Sequence, residues 1–335
     1  MADKKTLSGI KTLLARHGRF VLTFHRNPDG DALASAFLFG RMLEKKGKDY
    51  LIVSEAGIPR HLSFFSERFP PLPPWLSLPR GTPLKEKLPG TFRDAALVIM
   101  DSSNPGRTGL SPEDLAQFPA ILNIDHHSDN SGFGSVNLVE PKATSIGEIL
   151  FGLCRGLGIR LDTSMAEMVY VSLYSDTVGF SQNNTSETAR SILGEILKLH
   201  VGFPALNREL RKKTWNYLRL SGGVFSRLKL DDVAAPKVLW SSVTMEDLKD
   251  NGLGYEDLDG VIDEISFTGQ AQIVFLLKEL KPGDFKVSIR CVTGYNVKKV
   301  AFTFGGGGHD SAAGFEITGT IEDCAKRIIA AVRGT

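Results

Sequence analysis

Cysteine is scarce in this chain of 335 residues: Cys154, Cys291 and Cys324 are odd in number and far apart. No Cys-x-x-Cys pair exists, which excludes a disulfide framework or a zinc–cysteine site and fits a reducing, cytoplasmic setting. Long apolar runs are missing too. No apolar span of about 18 residues occurs, and the start Met-Ala-Asp-Lys-Lys lacks a signal peptide's apolar segment, so a soluble protein without membrane contact is expected. Charge of one sign is not in excess: 40 Lys and Arg against 38 Asp and Glu leave a net charge of +2. Coating long nucleic acid needs many unbalanced cations and is excluded as the main role. A nucleotide-sized ligand held by a few local cations is not.

What is present is ordinary for a globular protein, 42% hydrophobic and 23% charged. The length suggests two domains. Residues 19–24 form an apolar run ending in His25, a Pro-Asp-Gly turn follows, and Ala32 to Lys46 reads as a helix stopped by Gly47. Asp49 to Ser54, Ala95 to Met100 and Ile121 to Ile124 read as strands; Ser145 to Gly158 and Ser164 to Tyr174 read as helices. Seven prolines between 70 and 90 (Pro70, Pro71, Pro73, Pro74, Pro79, Pro83 and Pro89) suggest a surface loop without catalytic content.

Strands alternating with helices predict an α/β fold with a parallel sheet, whose sites lie beyond the strands' carboxyl ends. Three of those ends carry His25, Asp101 and Asp125. The expected boundaries are 1–190 for the first domain, 191–229 for a charged helical linker and 230–335 for a smaller α/β domain. Strand-like runs at 236–243, 271–277 and 286–292 precede a last helix at 321–333.

Four short elements share a theme: His25-Arg-Asn-Pro-Asp29-Gly-Asp31, Asp101, Asp125-His126-His127 and Asp176. Singly, each has a structural explanation. Asp31 can cap the helix at Ala32, adjacent histidines are often surface residues, and Asp101 can start a turn. Together they are harder to dismiss. Of seven histidines, four fall in these motifs or in a glycine loop near the C-terminus. Burying Asp29, Asp31, Asp101 and Asp176 together without cations would cost several kcal/mol per charge. Mixed carboxylate and imidazole ligands suit Mn²⁺, Fe²⁺ or Zn²⁺ better than Mg²⁺ or Ca²⁺. Two ions about 3.5–4 Å apart can clamp a phosphoryl group for in-line displacement.

Gly305-Gly306-Gly307-Gly308 precedes His309. Glycine lets backbone N–H groups approach phosphate closely, although a plain flexible turn is the better explanation of four glycines alone. No Gly-Lys-Ser/Thr follows, so this is not a P-loop. His309 and Arg290 supply cations suited to a terminal phosphate. Arg107, in Asn-Pro-Gly-Arg, is a weaker candidate for the same contact.

The ordered set Asn-Pro-Asp29-Gly-Asp31-Ala-Leu-Ala-Ser, Asp101, Asp125-His126-His127 and Asp176 resembles the DHH phosphoesterase superfamily. Gly305-Gly-Gly-Gly-His309-Asp-Ser-Ala-Ala-Gly314-Phe is similar to the glycine-rich motif of its DHHA1 domain. The layout is like that of the nanoRNase/pAp-phosphatase group. The resemblance implies an active-site cleft between the domains and two Mn²⁺ ions. One would be held by His25, Asp29 and Asp101, the other by Asp31, Asp101, His126 and Asp176. It further implies that His127 faces the scissile phosphate, that Asp125 orients the histidines, and that Gly306, Gly307, Gly308, His309 and Arg290 grip the substrate.

Expected substrates are nanoRNA or 3'-phosphoadenosine 5'-phosphate. A cyclic-dinucleotide phosphodiesterase and a non-catalytic nucleotide-binding protein are the alternatives, and a homodimer is compatible with the sequence. One departure stands out: the family's fourth motif often reads Asp-Thr-Gly-x-Phe, and here it is Asp176-Thr-Val178-Gly179-Phe180.

Overall fold

Continuous apolar runs between turn residues make strands that are buried on both faces, and a parallel sheet is where such strands belong. In the computed structural model, which describes residues 3–55, 57–70, 74–79, 81–181, 184–258 and 260–334, this is what they build. The chain forms two units, one up to Lys212 and one from Lys213 onward.

The first unit holds β1 (Arg19–Thr23), β2 (Asp49–Ser54), β3 (Trp75–Ser77), β4 (Ala96–Met100), β5 (Ile121–Asp125) and β6 (Val136–Val139). Their order is β3-β2-β1-β4-β5-β6, and every pair is parallel. The chain runs outward from β1 in one direction and from β4 in the other, so the switch point lies between these strands. Alternate residues serve opposite layers. Phe20 and Leu22 pack with Phe37, Leu150 and Val169, while Val21 packs with Leu84, Leu97 and Phe118.

Helix Gly30–Glu44 is apolar nearly all round and is buried accordingly, against helices Ile146–Gly156 and Thr163–Asp176. A Cβ on Gly40 would sit 2.5 Å from the Tyr50 ring, so the close packing of helix on strand requires glycine there.

The proline-rich stretch departs from the surface loop expected of it. Trp75–Ser77 adds a strand beside β2, and Leu78, Leu84 and Leu88 are buried against the sheet's second face. Proline tolerates such an edge because no further strand needs its N–H. Pro71 and Pro73 lie outside the described residues. The segment 191–229, expected as a helical linker, contributes to both units in turn. Ile192, Ile196 and Leu206 join the first core; Tyr217, Leu220 and Val224 join a core of the second.

The second unit contains β7 (Lys229–Asp231), β8 (Val238–Val243), β9 (Ile273–Lys281), β10 (Asp284–Cys291), β11 (Gly307–Gly308) and β12 (Ala312–Thr318). Their order is β11-β12-β10-β9-β8-β7, with only β8 and β9 parallel. Trp240 stacks on Phe275, and Phe304 on Phe315. The last helix, Ile321–Gly334, buries Cys324, Ile328 and Val332. All three cysteines are free. No helix among the described residues is long and apolar enough to cross a membrane.

Candidate metal centre and phosphate pocket

The switch point gathers the acidic motifs. His25 follows β1, Asp101 follows β4, and Asp125 ends β5. Asp29 caps helix Gly30–Glu44, its carboxylate accepting from the Ala32 N–H at 3.0 Å. The cap is therefore Asp29, not Asp31, which lies in the helix's first turn and is fully buried. The helix therefore starts two residues earlier than read from sequence, and its first residue, Gly30, packs so closely on Ser175 that a Cβ would meet the hydroxyl at 1.9 Å. Asp176 is the last residue of helix Thr163–Asp176.

Three groups of side chains have potential ligand atoms within 4.8 Å of one another: His25, Asp29 and Asp101; Asp31, His126 and Asp176; and Asp101, His126 and His127. Asp101 is common to two of them and holds both sides together. His25 Nε2 lies 3.1 Å from its Oδ2, and His126 Nε2 lies 3.5 Å from its Oδ1 and 3.4 Å from Asp176 Oδ2. Unlike its buried neighbours, Asp29 is exposed.

The backbone at the two turns is as special as the side chains. Asp101 has φ 53°, a left-handed conformation that costs an ordinary residue roughly 1–2 kcal/mol and that aspartate tolerates better than most. After Asp176, Val178, Gly179 and Phe180 have φ of 49°, 68° and 63°. The departure in the fourth motif therefore puts a β-branched valine in the left-handed region where the family often has glycine. The turn persists because the Gly179 N–H donates to Tyr174 O at 2.8 Å and the Phe180 N–H donates to the Thr177 hydroxyl at 2.9 Å.

The donor set fits divalent cations. Asp176 Oδ2 is buried and accepts no hydrogen bond, a costly state for a carboxylate. Burial and the neighbouring Asp31 push the Asp176 carboxyl well above the usual range. Burial and Asp101 raise Asp31 to about 6. For Asp101 burial acts upward, but hydrogen bonds from His126 and His25 overcome it and hold this carboxyl well below the ordinary value. His126 Nδ1 faces Ala143 O at 3.3 Å, which leaves Nε2 toward the carboxylates. Burial opposes its charge, yet Asp101 and its neighbours lift it to about 9. Crowded carboxylates that disagree this strongly about a proton are relieved by a cation.

Asp31 and His126 both bind protons more tightly in the folded chain than in the unfolded one. They favour the metal-free fold at low pH, and that contribution is lost as pH rises through about 6 and about 9. Cation binding needs the same groups deprotonated. The metal-free protein is thus expected to melt at a lower temperature at pH 9 than at pH 6, while its affinity for a divalent cation rises across that window. Calorimetric titration should show a proton released on binding at pH 7; affinity independent of pH would contradict this.

Arg107 lies in the turn Pro105–Thr108, with Nη1 3.1 Å from His127 Nε2. A guanidinium only donates, so His127 Nε2 accepts. His127 Nδ1 must then carry the proton that it donates to Asp125 Oδ1 at 2.7 Å. His25, Arg26, Asn27, Asn104, Gly106 and Arg107 line an adjoining pocket of about 410 Å³. Arg26 and Asn27 lie within the His25–Asp31 motif and Asn104 begins the Asn-Pro-Gly-Arg turn, and the sequence alone assigns none of the three a role.

In the second unit, Arg290 Nε donates to Asp263 Oδ1 at 3.0 Å and Nη1 to Ile289 O at 3.3 Å. The glycine run is in part a packing device. A Cβ on Gly306 would lie 2.2 Å from Gly314 O, and one on Gly308 2.6 Å from Ala312 O. Gly307 meets nothing within 4 Å, and His309 is exposed.

Residues 19–173 match the DHH family, N-terminal domain, and residues 236–335 match the DHHA1 domain. The chain belongs to the DHH/DHHA1 phosphoesterase superfamily. Within it, the chain is 28% identical over 325 residues to the bifunctional oligoribonuclease and PAP phosphatase NrnA of Thermus thermophilus, covering 96% of this chain and 92% of that one. It is 27% identical to the protein of the same name from Bacillus subtilis, covering 68% and 71%. An exopolyphosphatase-related protein from Bacteroides fragilis shares the fold, with TM-score 0.84 and 22% identity, covering 99% and 96%.

Proposed function

We propose that this chain is a metal-dependent phosphoesterase that hydrolyses very short oligonucleotides to mononucleotides and 3'-phosphoadenosine 5'-phosphate to AMP. The carrying observation is that Asp101 is common to two groups of carboxylate and imidazole donors, beside a pocket lined by His25 and Arg107, and that Arg107 is in turn bonded to His127. Two Mn²⁺ ions would be held by His25, Asp29 and Asp101 and by Asp31, Asp101, His126 and Asp176. Bound there, they supply Lewis-acid stabilisation of phosphoryl charge and lower the pKa of water.

The protein's own groups do the rest. Arg107 gives the pocket a fixed positive charge for a phosphate oxygen, and His127, held by Asp125, accepts from Arg107 through Nε2 and so fixes that guanidinium. Arg290, the backbone of Gly306 to Gly308 and His309 anchor a terminal phosphate or base of the substrate, and the near balance of charge keeps substrates small. The names of the Thermus and Bacillus relatives support the choice of substrates.

A Mn²⁺-supplemented assay over 3'-phosphoadenosine 5'-phosphate, dinucleotides, 5-mers, cyclic di-AMP and pyrophosphate tests this. Turnover highest on the first two supports the reading. Turnover only on cyclic di-AMP, or none with metal bound, overturns it. A charged contact to a terminal phosphate is worth about 1.5–3 kcal/mol. His309→Ala is therefore expected to raise KM for a dinucleotide by roughly 10- to 100-fold, while bis-p-nitrophenyl phosphate, which has no terminal phosphate to anchor, is hydrolysed at the native rate. Equal losses on both would remove His309 from substrate binding.

A further inference from the structure

We propose that Asn130 is a positioning residue for the reaction: it fixes the Asp125 carboxylate, which in turn fixes the His127 imidazole. The inference rests on the phosphoesterase reading above.

Asp125 is fully buried, so each of its oxygens needs a partner. Oδ1 takes the proton on His127 Nδ1, and Oδ2 accepts from Asn130 Nδ2 at 2.6 Å. The same amide nitrogen lies 2.8 Å from Asn123 Oδ1 and 3.3 Å from Ser102 O. Asn130 Oδ1 accepts the Gly132 N–H at 2.8 Å. This surround dictates which way the amide points. Rotated by half a turn, its oxygen would face three acceptors and its nitrogen a donor.

Asn123 extends the chain of bonds. It is a wholly buried polar residue inside the apolar strand β5, and its own amide donates to Ile99 O and Ser102 O, each at 3.3 Å. Ser102 follows Asp101, the residue with a left-handed backbone. Two carboxamides thus tie the turn after β4 to the end of β5. A chain of contacts runs Asn123, Asn130, Asp125, His127, Arg107 and ends at the phosphate pocket. Without Asn130, Asp125 Oδ2 is free to turn toward His127, and the imidazole is no longer confined to one orientation or one tautomer.

The test combines kinetics, metal titration and spectroscopy. Asn130→Ala is expected to lower kcat by about tenfold or more at saturating Mn²⁺, with KM changed less than about threefold and cation stoichiometry unchanged. The double variant Asn130→Ala with His127→Ala should be no slower than His127→Ala alone, because the two residues act through one group. Native kcat in Asn130→Ala, or losses that multiply in the double variant, would overturn the proposal.

Should Asn130→Ala fail to fold, the unsubstituted protein still decides. Imidazole ¹⁵N spectra of the Mg²⁺-loaded chain, with His127 assigned through His127→Gln, should show the proton on Nδ1; a proton on Nε2 would overturn the inference. An inactive native protein would sink the phosphoesterase reading. An active one with the wrong tautomer or multiplying losses sinks only the role of Asn130.

Discussion

Asp101→Asn is expected to lower turnover by at least about 10³-fold on every phosphate ester, because it removes the one carboxylate that touches both halves of the centre. Asparagine has nearly the same shape and also tolerates a left-handed backbone, so the φ of 53° at this position adds little strain. What changes is charge. His25 and His126 lose the carboxylate that raises them both, so their protons become easier to lose. Cation affinity should collapse with activity while the protein stays folded. Steady-state assays with added Mn²⁺, circular dichroism and metal analysis read the three effects separately. Turnover within tenfold of native would contradict a bridging role for Asp101.

His127→Ala is expected to show a different signature: a loss of roughly 10²–10⁴-fold in kcat with the cations retained. Its Nε2 faces Arg107 at the pocket, and Asp125 occupies its Nδ1. Neither nitrogen is spare for a metal in this arrangement, although His127 falls in one of the three donor groups. Removing the imidazole also frees Arg107 Nη1, so KM should hold or fall while kcat drops. If His127→Ala instead lost a cation, His127 would belong among the ligands.

Much of the first unit was legible because fully buried parallel strands are written as unbroken apolar runs. His25, Asp101 and Asp125 each close such a run, and the carboxyl ends of parallel strands converge by topology. Strand order was not legible, since it depends on how separate runs pair rather than on any one of them. β3 was hidden among prolines; it is a three-residue edge strand whose pairing reflects tertiary packing more than propensity.

Sequence alone favours Asp31 as the cap because it directly precedes the apolar residues; in the fold the Asp29 carboxylate accepts the Ala32 N–H and the helix begins at Gly30. Asn123 left a readable trace, a carboxamide in an apolar strand that must find buried partners, but the partner Asn130 emerges only once β5 and its following turn are folded. In the second unit the glycine run suggested phosphate. The backbone adds that Gly306 and Gly308 are demanded by β12, whereas Gly307 is free of that demand.

His25, Asp29, Asp31, Asp101, His126 and Asp176 are expected to hold a pair of divalent cations. Diffraction from crystals soaked in Mn²⁺, collected at the manganese absorption edge, tests it most directly. Two anomalous peaks within about 4 Å of each other, flanking the Asp101 carboxylate, are the predicted result. A single peak, or peaks away from these six side chains, would contradict it.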